Sequence, residues 1–158
     1  MGVMADRAAV IAPPPLLTAI CIGAGAIVDH FKPFPLVRNL GMLPRMALGV
    51  ALLIVAAGLV FFAIRQFVSH KEHPSPYQPT HAIVSTGVYR LTRNPIYIGL
   101  LIVVMAVAIS VNSVWVLLSI VPLFLLLQFG VVLREERYLS TKFGSGYDDY
   151  RRRVRRWI

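Results

Sequence analysis

Four apolar stretches separated by short polar segments dominate this chain, from Leu16 to Val28, Met46 to Val68, Ile96 to Ile109 and Val114 to Leu133. A helix needs about 20 apolar residues to cross the hydrocarbon core of a bilayer. The second and fourth stretches satisfy this requirement alone, and the other two need flanking residues or a tilt. The pattern therefore predicts four transmembrane helices, at about 15–31, 45–68, 95–110 and 113–134.

The polar residues between the third and fourth stretches are few. Residues 110–113 read Ser-Val-Asn-Ser, which is typical of the tight turn of a helical hairpin. Pro122 lies inside the predicted fourth helix and should kink it, because proline cannot donate the backbone hydrogen bond.

The segment at 70–94 has no helical period and contains Pro74, Pro76 and Pro79. Unstructured loops of this length are usually functional or disordered. The polar tail at 134–158 instead carries apolar residues three to four positions apart, namely Phe143, Tyr147, Tyr150, Val154 and Trp157. That spacing predicts a C-terminal amphipathic helix on the membrane surface.

The composition agrees with a membrane protein. The chain has 158 residues, of which 57% are hydrophobic, and a mean hydropathy of +0.70, which together predict a single all-α polytopic membrane domain over 1–158. No A-x-A-like cleavage site follows the first apolar stretch, so we interpret it as a retained span. The single cysteine, Cys21, excludes an internal disulfide, and the four histidines lack metal-ligand spacing.

The net charge of +9 comes from basic residues at the ends of the apolar segments, which argues against a nucleic-acid surface. With four spans and both termini on one side, thirteen of the 16 Lys and Arg residues share that side. Lys32, Arg38 and Arg45 lie opposite. The positive-inside rule then predicts that both termini, the 70–94 loop and the tail face the cytosol.

The start of the third predicted helix carries the sequence Arg93-Asn94-Pro95-Ile96-Tyr97. Asn is a favoured N-cap residue and Pro a favoured first helical residue, so the helix should begin here. Arg93 and Tyr97 fit two interpretations. They are interfacial anchors, or they belong to an anion site at the helix N-terminus.

A pair of acids, Glu135 and Glu136, follows the fourth apolar stretch. Four consecutive charges from Arg134 to Arg137 could simply end a membrane helix in water. Acids at a helix C-terminus are unfavourably placed, however, and Gln128 lies seven residues before Glu135, on nearly the same face. The second interpretation is an acid that holds a cationic ligand at the mouth of a groove.

Two blocks, T-G-V-Y-R-L-T-R-N-P-I-Y and E-E-R-Y-L-S-T-K-F-G-S-G-Y-D-D-Y-R-R-R-V, occur in this order around the apolar hairpin. In this respect the chain resembles the isoprenylcysteine carboxyl methyltransferase and phospholipid methyltransferase superfamily of integral membrane enzymes, from about Thr80 to Val154. The resemblance implies an S-adenosylmethionine cofactor on the cytosolic side, between the 70–94 loop and the last two helices.

The resemblance also implies site residues. The cofactor would contact His81, Ala82, Ile83, Val84, Tyr89, Arg93, Asn94, Pro95, Ile96, Tyr97 and Glu135. We expect a hydrophobic acceptor to enter beside Val131, at the family's substrate-binding position, and beside Gln128, which shares the helix face of Glu135. The eukaryotic isoprenylcysteine enzymes have histidine at the position of Asn94 and a substrate-binding arginine at that of Val131, so the resemblance does not name the acceptor.

The leading hypothesis is thus an S-adenosylmethionine-dependent membrane methyltransferase that acts on a lipid-like acceptor, with no general base and no metal assigned. Membrane lipids are the other expected partner, and the oligomeric state stays open. One alternative is a membrane reductase of related architecture that binds a nicotinamide cofactor. Another is a non-catalytic membrane protein whose basic tail binds anionic lipids or a partner.

Overall fold

The computed structural model describes residues 8–73 and 80–158 and is all-helical across them. Its helices are α1 (Pro14–Phe31), α2 (Met42–Ser69), α3 (Pro95–Val111), α4 (Val114–Phe143) and α5 (Ser145–Arg153), with a 3₁₀ turn at Gly87–Arg90. Among these, α1, α2 and α4 are long and apolar enough to cross a membrane. The α3 helix is apolar but shorter, with 17 residues, so the count of four spans stays a prediction.

The predicted all-α membrane architecture is therefore confirmed for three helices. Arg7, which is one of the thirteen basic residues counted on the predicted cytosolic side, and the prolines Pro74, Pro76 and Pro79 lie outside the described residues.

The connection between α3 and α4 is two residues long. Asn112 has a left-handed backbone (φ +59°), which asparagine tolerates well, and ends α3. Ser113 then caps α4 by accepting a hydrogen bond from the Val116 N–H. Ser113 also donates a 2.7 Å hydrogen bond to Asp29 at the end of α1. This hydrogen bond joins the α3–α4 turn to α1, at the end of the bundle opposite the 70–94 loop.

Close helix contacts depend on small residues, as is usual in membrane bundles. Gly99 of α3 faces the Ala56 carbonyl and Val60 of α2, and Gly25 of α1 lies against the backbone of Trp115 and Val116 in α4. A Cβ atom at Gly25 would meet backbone atoms of α4 within 3 Å, and one at Gly99 would meet a methyl group of Val60 at 2.6 Å, so a side chain at either position would force its neighbour to move.

Two irregularities interrupt α4. The regular helix is interrupted at Ser119, whose hydroxyl donates to the Val116 carbonyl, and Pro122 follows in the next turn. A kink of the helix axis at Pro122 stays a prediction. A π-helical turn spans Gln128–Val132. The Gly130 carbonyl inside this turn accepts a hydrogen bond from the Ile11 N–H, so the segment before α1 packs on the π turn.

The helices alternate in direction, so the connections gather at two ends. At one end, Arg134 of α4 donates to the Ala9 carbonyl, Thr86 of the loop before α3 donates to Gln66 of α2, and Tyr150 of α5 donates to the Tyr89 carbonyl of the same loop. At the other end, Trp115 donates to the Lys32 carbonyl. The predicted tail and loop therefore lie at the same end of the bundle.

The C-terminal helix differs from the prediction. Gly144 has a positive φ of +53° and separates α4 from α5. Phe143 lies before this break, and Val154 and Trp157 lie after the end of α5 at Arg153, so the five apolar residues do not share one continuous helix. Tyr147 and Tyr150 of α5 are buried against other parts of the protein. The apolar face is thus covered by protein, and a location at the membrane surface stays a prediction.

Candidate functional site

One open cavity lies where the segment before α3 meets the end of α4 and α5. It encloses about 880 Å³, a volume that includes the open solvent at its mouth. Ten of the eleven predicted cofactor residues line it, namely Ala82, Ile83, Val84, Tyr89, Arg93, Asn94, Pro95, Ile96, Tyr97 and Glu135. The structure therefore gathers at one cavity two sequence blocks that are about forty residues apart.

His81 does not line the cavity. Its side chain is 77% exposed, while its backbone N–H donates to both oxygens of Glu72, at 2.9 and 3.0 Å. Glu72 is buried and lies three residues after the end of α2. Its contact with His81 therefore holds the start of the segment Ala82–Val84, which lines the cavity. Glu72 was not among the predicted residues.

Tyr97 and Glu135 form a direct pair on the cavity wall. The Tyr97 hydroxyl donates to Oε1 of Glu135 over 2.6 Å. Tyr97 lies in the first turn of α3, and Glu135 follows the π turn of α4. The hydrogen bond orients the carboxylate, and none of the ion pairs among the described residues involves Glu135.

Glu136, the neighbouring acid, has a different environment. Its Oε1 accepts hydrogen bonds from Arg93 (2.7 Å) and from Nε of Arg156 (2.8 Å), and its Oε2 accepts from Nη2 of Arg156 (2.8 Å). The Glu136 side chain is only 9% exposed. A buried carboxylate requires such partners, so Glu136 is a structural anchor for two guanidinium groups.

Arg93 has a buried hydrogen-bond donor without a partner among the described residues. Its Nη1 binds Glu136 and also donates to the Tyr147 hydroxyl over 3.3 Å. Its Nε is buried and has no hydrogen-bond partner among the described residues. Buried donors without a partner are rare, and this one lies beside the N-terminus of α3, which favours negative charge. The arrangement suits an anionic group.

Asn94 occupies the N-cap position and Pro95 begins α3, as predicted, but the expected side-chain cap is wrong. The Asn94 amide instead donates to the Arg156 carbonyl over 2.7 Å. The C-terminal tail competes for this side chain because it packs directly against the helix start.

The two predicted acceptor residues do not line the cavity. Gln128 accepts a 2.9 Å hydrogen bond from the Trp157 indole, and Val131 is fully buried in the core. The π turn explains the difference, because one extra residue rotates the following side chains by about 100° relative to a regular α-helix. Val132 lines the cavity in place of Val131.

Sequence reasoning missed several cavity residues in the tail. Tyr147 and Tyr150 line the cavity, and the Tyr150 hydroxyl donates to the Tyr89 carbonyl over 2.8 Å. Burial, followed by the charge of Glu136, raises the pKa of Tyr147 above its ordinary value, so its hydroxyl stays protonated. Their spacing of three residues marked a helical face, but the sequence did not show what covered it.

A comparison with known protein families identifies the family of this chain. The phospholipid methyltransferase family model matches residues 44–146, from the first turn of α2 to the start of α5. The chain belongs to the phospholipid methyltransferase family. The resemblance inferred from the two sequence blocks is thereby confirmed.

An uncharacterized protein of Haemophilus influenzae is a relative of this phospholipid methyltransferase family member, with 32% identity over 62 residues. These residues are 39% of this chain and 98% of the relative. No solved structure matches the chain. The family match includes Tyr97, Glu135 and Glu136, whereas Arg156 lies beyond it.

Proposed function

We propose that this protein transfers the methyl group of S-adenosylmethionine to a hydrophobic, lipid-like acceptor within or beside the membrane. Membership of a methyltransferase family supports the reaction class. The cavity at one end of a bundle of apolar helices supports an acceptor that arrives from the bilayer.

One observation carries the proposal, which is that Arg93, the start of α3 and Glu135 line the same cavity. The amino-acid part of S-adenosylmethionine has a carboxylate and an ammonium group. The Arg93 side chain, which lines the cavity beside the positive end of the α3 dipole, suits the carboxylate. Glu135, oriented by Tyr97, suits the ammonium group or the ribose hydroxyls.

Apolar side chains complete the proposed binding site. Val84, Ile96, Val132 and Leu139 line the cavity together with the tyrosines. They offer a surface for the adenine ring and for an acyl or prenyl chain, and they exclude water.

The bound cofactor would supply an electrophilic methyl group on its sulfonium sulfur. The protein then needs to hold the acceptor in line with that methyl group, since alignment alone accelerates a bimolecular displacement strongly. In this proposal Arg93 and Glu135 fix the position of the donor, and the apolar wall directs the acceptor. No side chain is assigned as a general base.

The proposed topology has four spans, with α3 as the fourth, and places the cavity on the cytosolic side. Most basic residues lie at the end of the bundle that carries the cavity, among them Arg65, Arg90, Arg134 and the tail arginines. The positive-inside rule supports this orientation. The same basic residues would contact anionic lipid headgroups.

The test uses the purified protein in lipid nanodiscs. Incubation with isotopically labelled S-adenosylmethionine and a lipid extract should yield a labelled hydrophobic product, which mass spectrometry then identifies. Calorimetry should show S-adenosylmethionine binding that Glu135→Gln weakens by roughly tenfold or more, because a charge-assisted contact is lost. The control Asp148→Asn removes an exposed tail carboxylate and should bind normally.

Normal binding by Glu135→Gln would contradict the role of this acid. Binding of NADPH in place of S-adenosylmethionine would favour a reductase. If neither binds, and if only replacement of the arginines at 151–153 and 155–156 abolishes the cellular effect, the protein is a non-catalytic lipid- or partner-binding protein.

A further inference from the structure

The last residues of the chain form a strap across the start of α3, which we define as residues 155–157. The Arg155 carbonyl accepts a hydrogen bond from the Arg93 N–H over 3.0 Å. The Arg156 carbonyl accepts from the Thr92 hydroxyl at 3.2 Å and from the Asn94 amide at 2.7 Å. The strap thus holds the backbone that carries Arg93 into the cavity, although it lies beyond the family match at 44–146.

The strap also places a second guanidinium on Glu136. Arg156 binds both carboxylate oxygens through Nε and Nη2, each at 2.8 Å, in the two-pronged geometry that favours arginine over lysine. Arg93 reaches the same carboxylate through Nη1 alone. Arg93 and Glu136 are each 9% exposed in this cluster, and Arg156 is 35% exposed.

Arg93 and Arg156 share the carboxylate of Glu136. With Arg156 on both oxygens, Arg93 contacts Glu136 through Nη1 alone, and its buried Nε has no partner among the residues described. Without Arg156, Oε2 of Glu136 would be free. Arg93 would then be expected to turn toward the carboxylate and use its Nε there, because a buried ion pair gains most from two parallel hydrogen bonds.

We propose that Arg156 is a positioning residue, which shares Glu136 with Arg93 and thereby keeps the Arg93 side chain at the cavity wall, where it would meet an anionic ligand group. The inference rests on the proposed function in one respect, because it takes that group to be the carboxylate of S-adenosylmethionine. It predicts that the influence of Arg156 on binding depends on the ligand carboxylate.

The experiment compares two ligands that differ only in that carboxylate, S-adenosylmethionine and decarboxylated S-adenosylmethionine. Binding to the full chain in nanodiscs is measured by calorimetry. Arg156→Gln should weaken S-adenosylmethionine binding by roughly tenfold, the usual effect of losing a hydrogen bond to a charged group, and leave the decarboxylated ligand unchanged. Arg156→Lys should be intermediate, because lysine supplies charge without the planar pair of donors.

The matched control is Arg152→Gln. Arg152 also pairs with a tail carboxylate, Asp149, at 2.6 Å, but both side chains are exposed and do not line the cavity. This variant should bind both ligands normally. Equal losses for both ligands in Arg156→Gln would show a general structural defect and overturn the proposal, as would no loss for either.

A second measurement does not depend on the cofactor. The ¹⁵N NMR signal of the Arg93 Nε–H group, assigned with Arg93→Lys, should shift and exchange more slowly with water in Arg156→Gln, as Nε engages Glu136. It should not change in Arg152→Gln. An unshifted Arg93 signal in Arg156→Gln refutes the positioning role. If wild-type protein binds neither ligand, the proposed cofactor is wrong, and the NMR result still decides the role of Arg156.

Discussion

Tyr97 donates a 2.6 Å hydrogen bond to Oε1 of Glu135, although 38 residues separate them along the chain. The bond joins the first turn of α3 to the part of α4 that follows the π turn. It also restricts the orientation of a carboxylate that lines the cavity. The two helices and the proposed ligand site are thus connected at this point.

Replacing Tyr97 by phenylalanine tests this connection. Tyr97→Phe keeps the ring and removes the donor, so Glu135 loses its fixed orientation. We expect S-adenosylmethionine affinity to fall by roughly three- to tenfold, in line with one hydrogen bond to a charged group. Calorimetry in nanodiscs measures the change. Trp115→Phe, which removes a hydrogen bond to Lys32 at the opposite end of the bundle, is the control and should bind normally.

Two glycines of α1 provide a matched test of helix packing. A Cβ atom on Gly25 would lie 2.8 Å from the Val116 Cα atom and 2.9 Å from the Trp115 carbonyl oxygen, whereas a Cβ atom on Gly23 meets nothing within 4 Å. Gly25→Ala should therefore lower the free energy of unfolding by about 1–3 kcal/mol, since backbone cannot move aside as a flexible side chain can.

Gly23→Ala should leave stability unchanged or raise it by up to about 1 kcal/mol, because alanine is the better helix former. Denaturant titration in detergent micelles measures both variants. Equal stability of the two variants would show that α1 and α4 do not approach each other as described.

Alkaline pH should weaken the packing of α5. Burial raises the pKa of both Tyr147 and Tyr150 above the ordinary value of 10.0, so the folded protein keeps these protons when the unfolded chain begins to release them. The stabilisation is complete below that value and is lost as the pH rises toward the folded-state pKa. Unfolding free energy should therefore decrease above about pH 10.

Tyr147→Phe isolates one of these contributions, because phenylalanine packs similarly and carries no ionisable proton. The decrease in stability between about pH 9 and pH 11 should be shallower in the variant than in the wild type. Parallel unfolding curves for the two proteins over this range would contradict the assigned burial of the Tyr147 hydroxyl. The comparison of slopes, not of absolute stabilities, is the relevant measurement.

Much of the fold could be predicted because the signals are local. Pro95 begins α3 as its fixed backbone angle and its missing N–H favour, and Asn112 and Ser113 form the turn before α4. The apolar runs gave the helix bounds to within a few residues, except that α4 continues beyond the apolar run to Phe143.

The site could be predicted only in part. Tyr97 and Glu135 were found through sequence blocks that resemble a family, and the structure brings them together. The role of Glu136 depends on Arg156, 20 residues later, across a chain reversal at Gly144 that no periodicity indicates. Gln128 and Val131 were assigned with regular helical geometry, which the π turn does not follow.

Because of this π turn, the position of the two acids depends on the exact number of residues in α4. The membrane-embedded half of the helix tolerates small changes in length, because tilt compensates for them. Deleting one residue between Gln128 and Val132 would restore an ordinary helix and point the acids away from Arg93 and Tyr97. Single-residue insertions and deletions here should therefore be selected against in the family more strongly than most substitutions of the apolar surface.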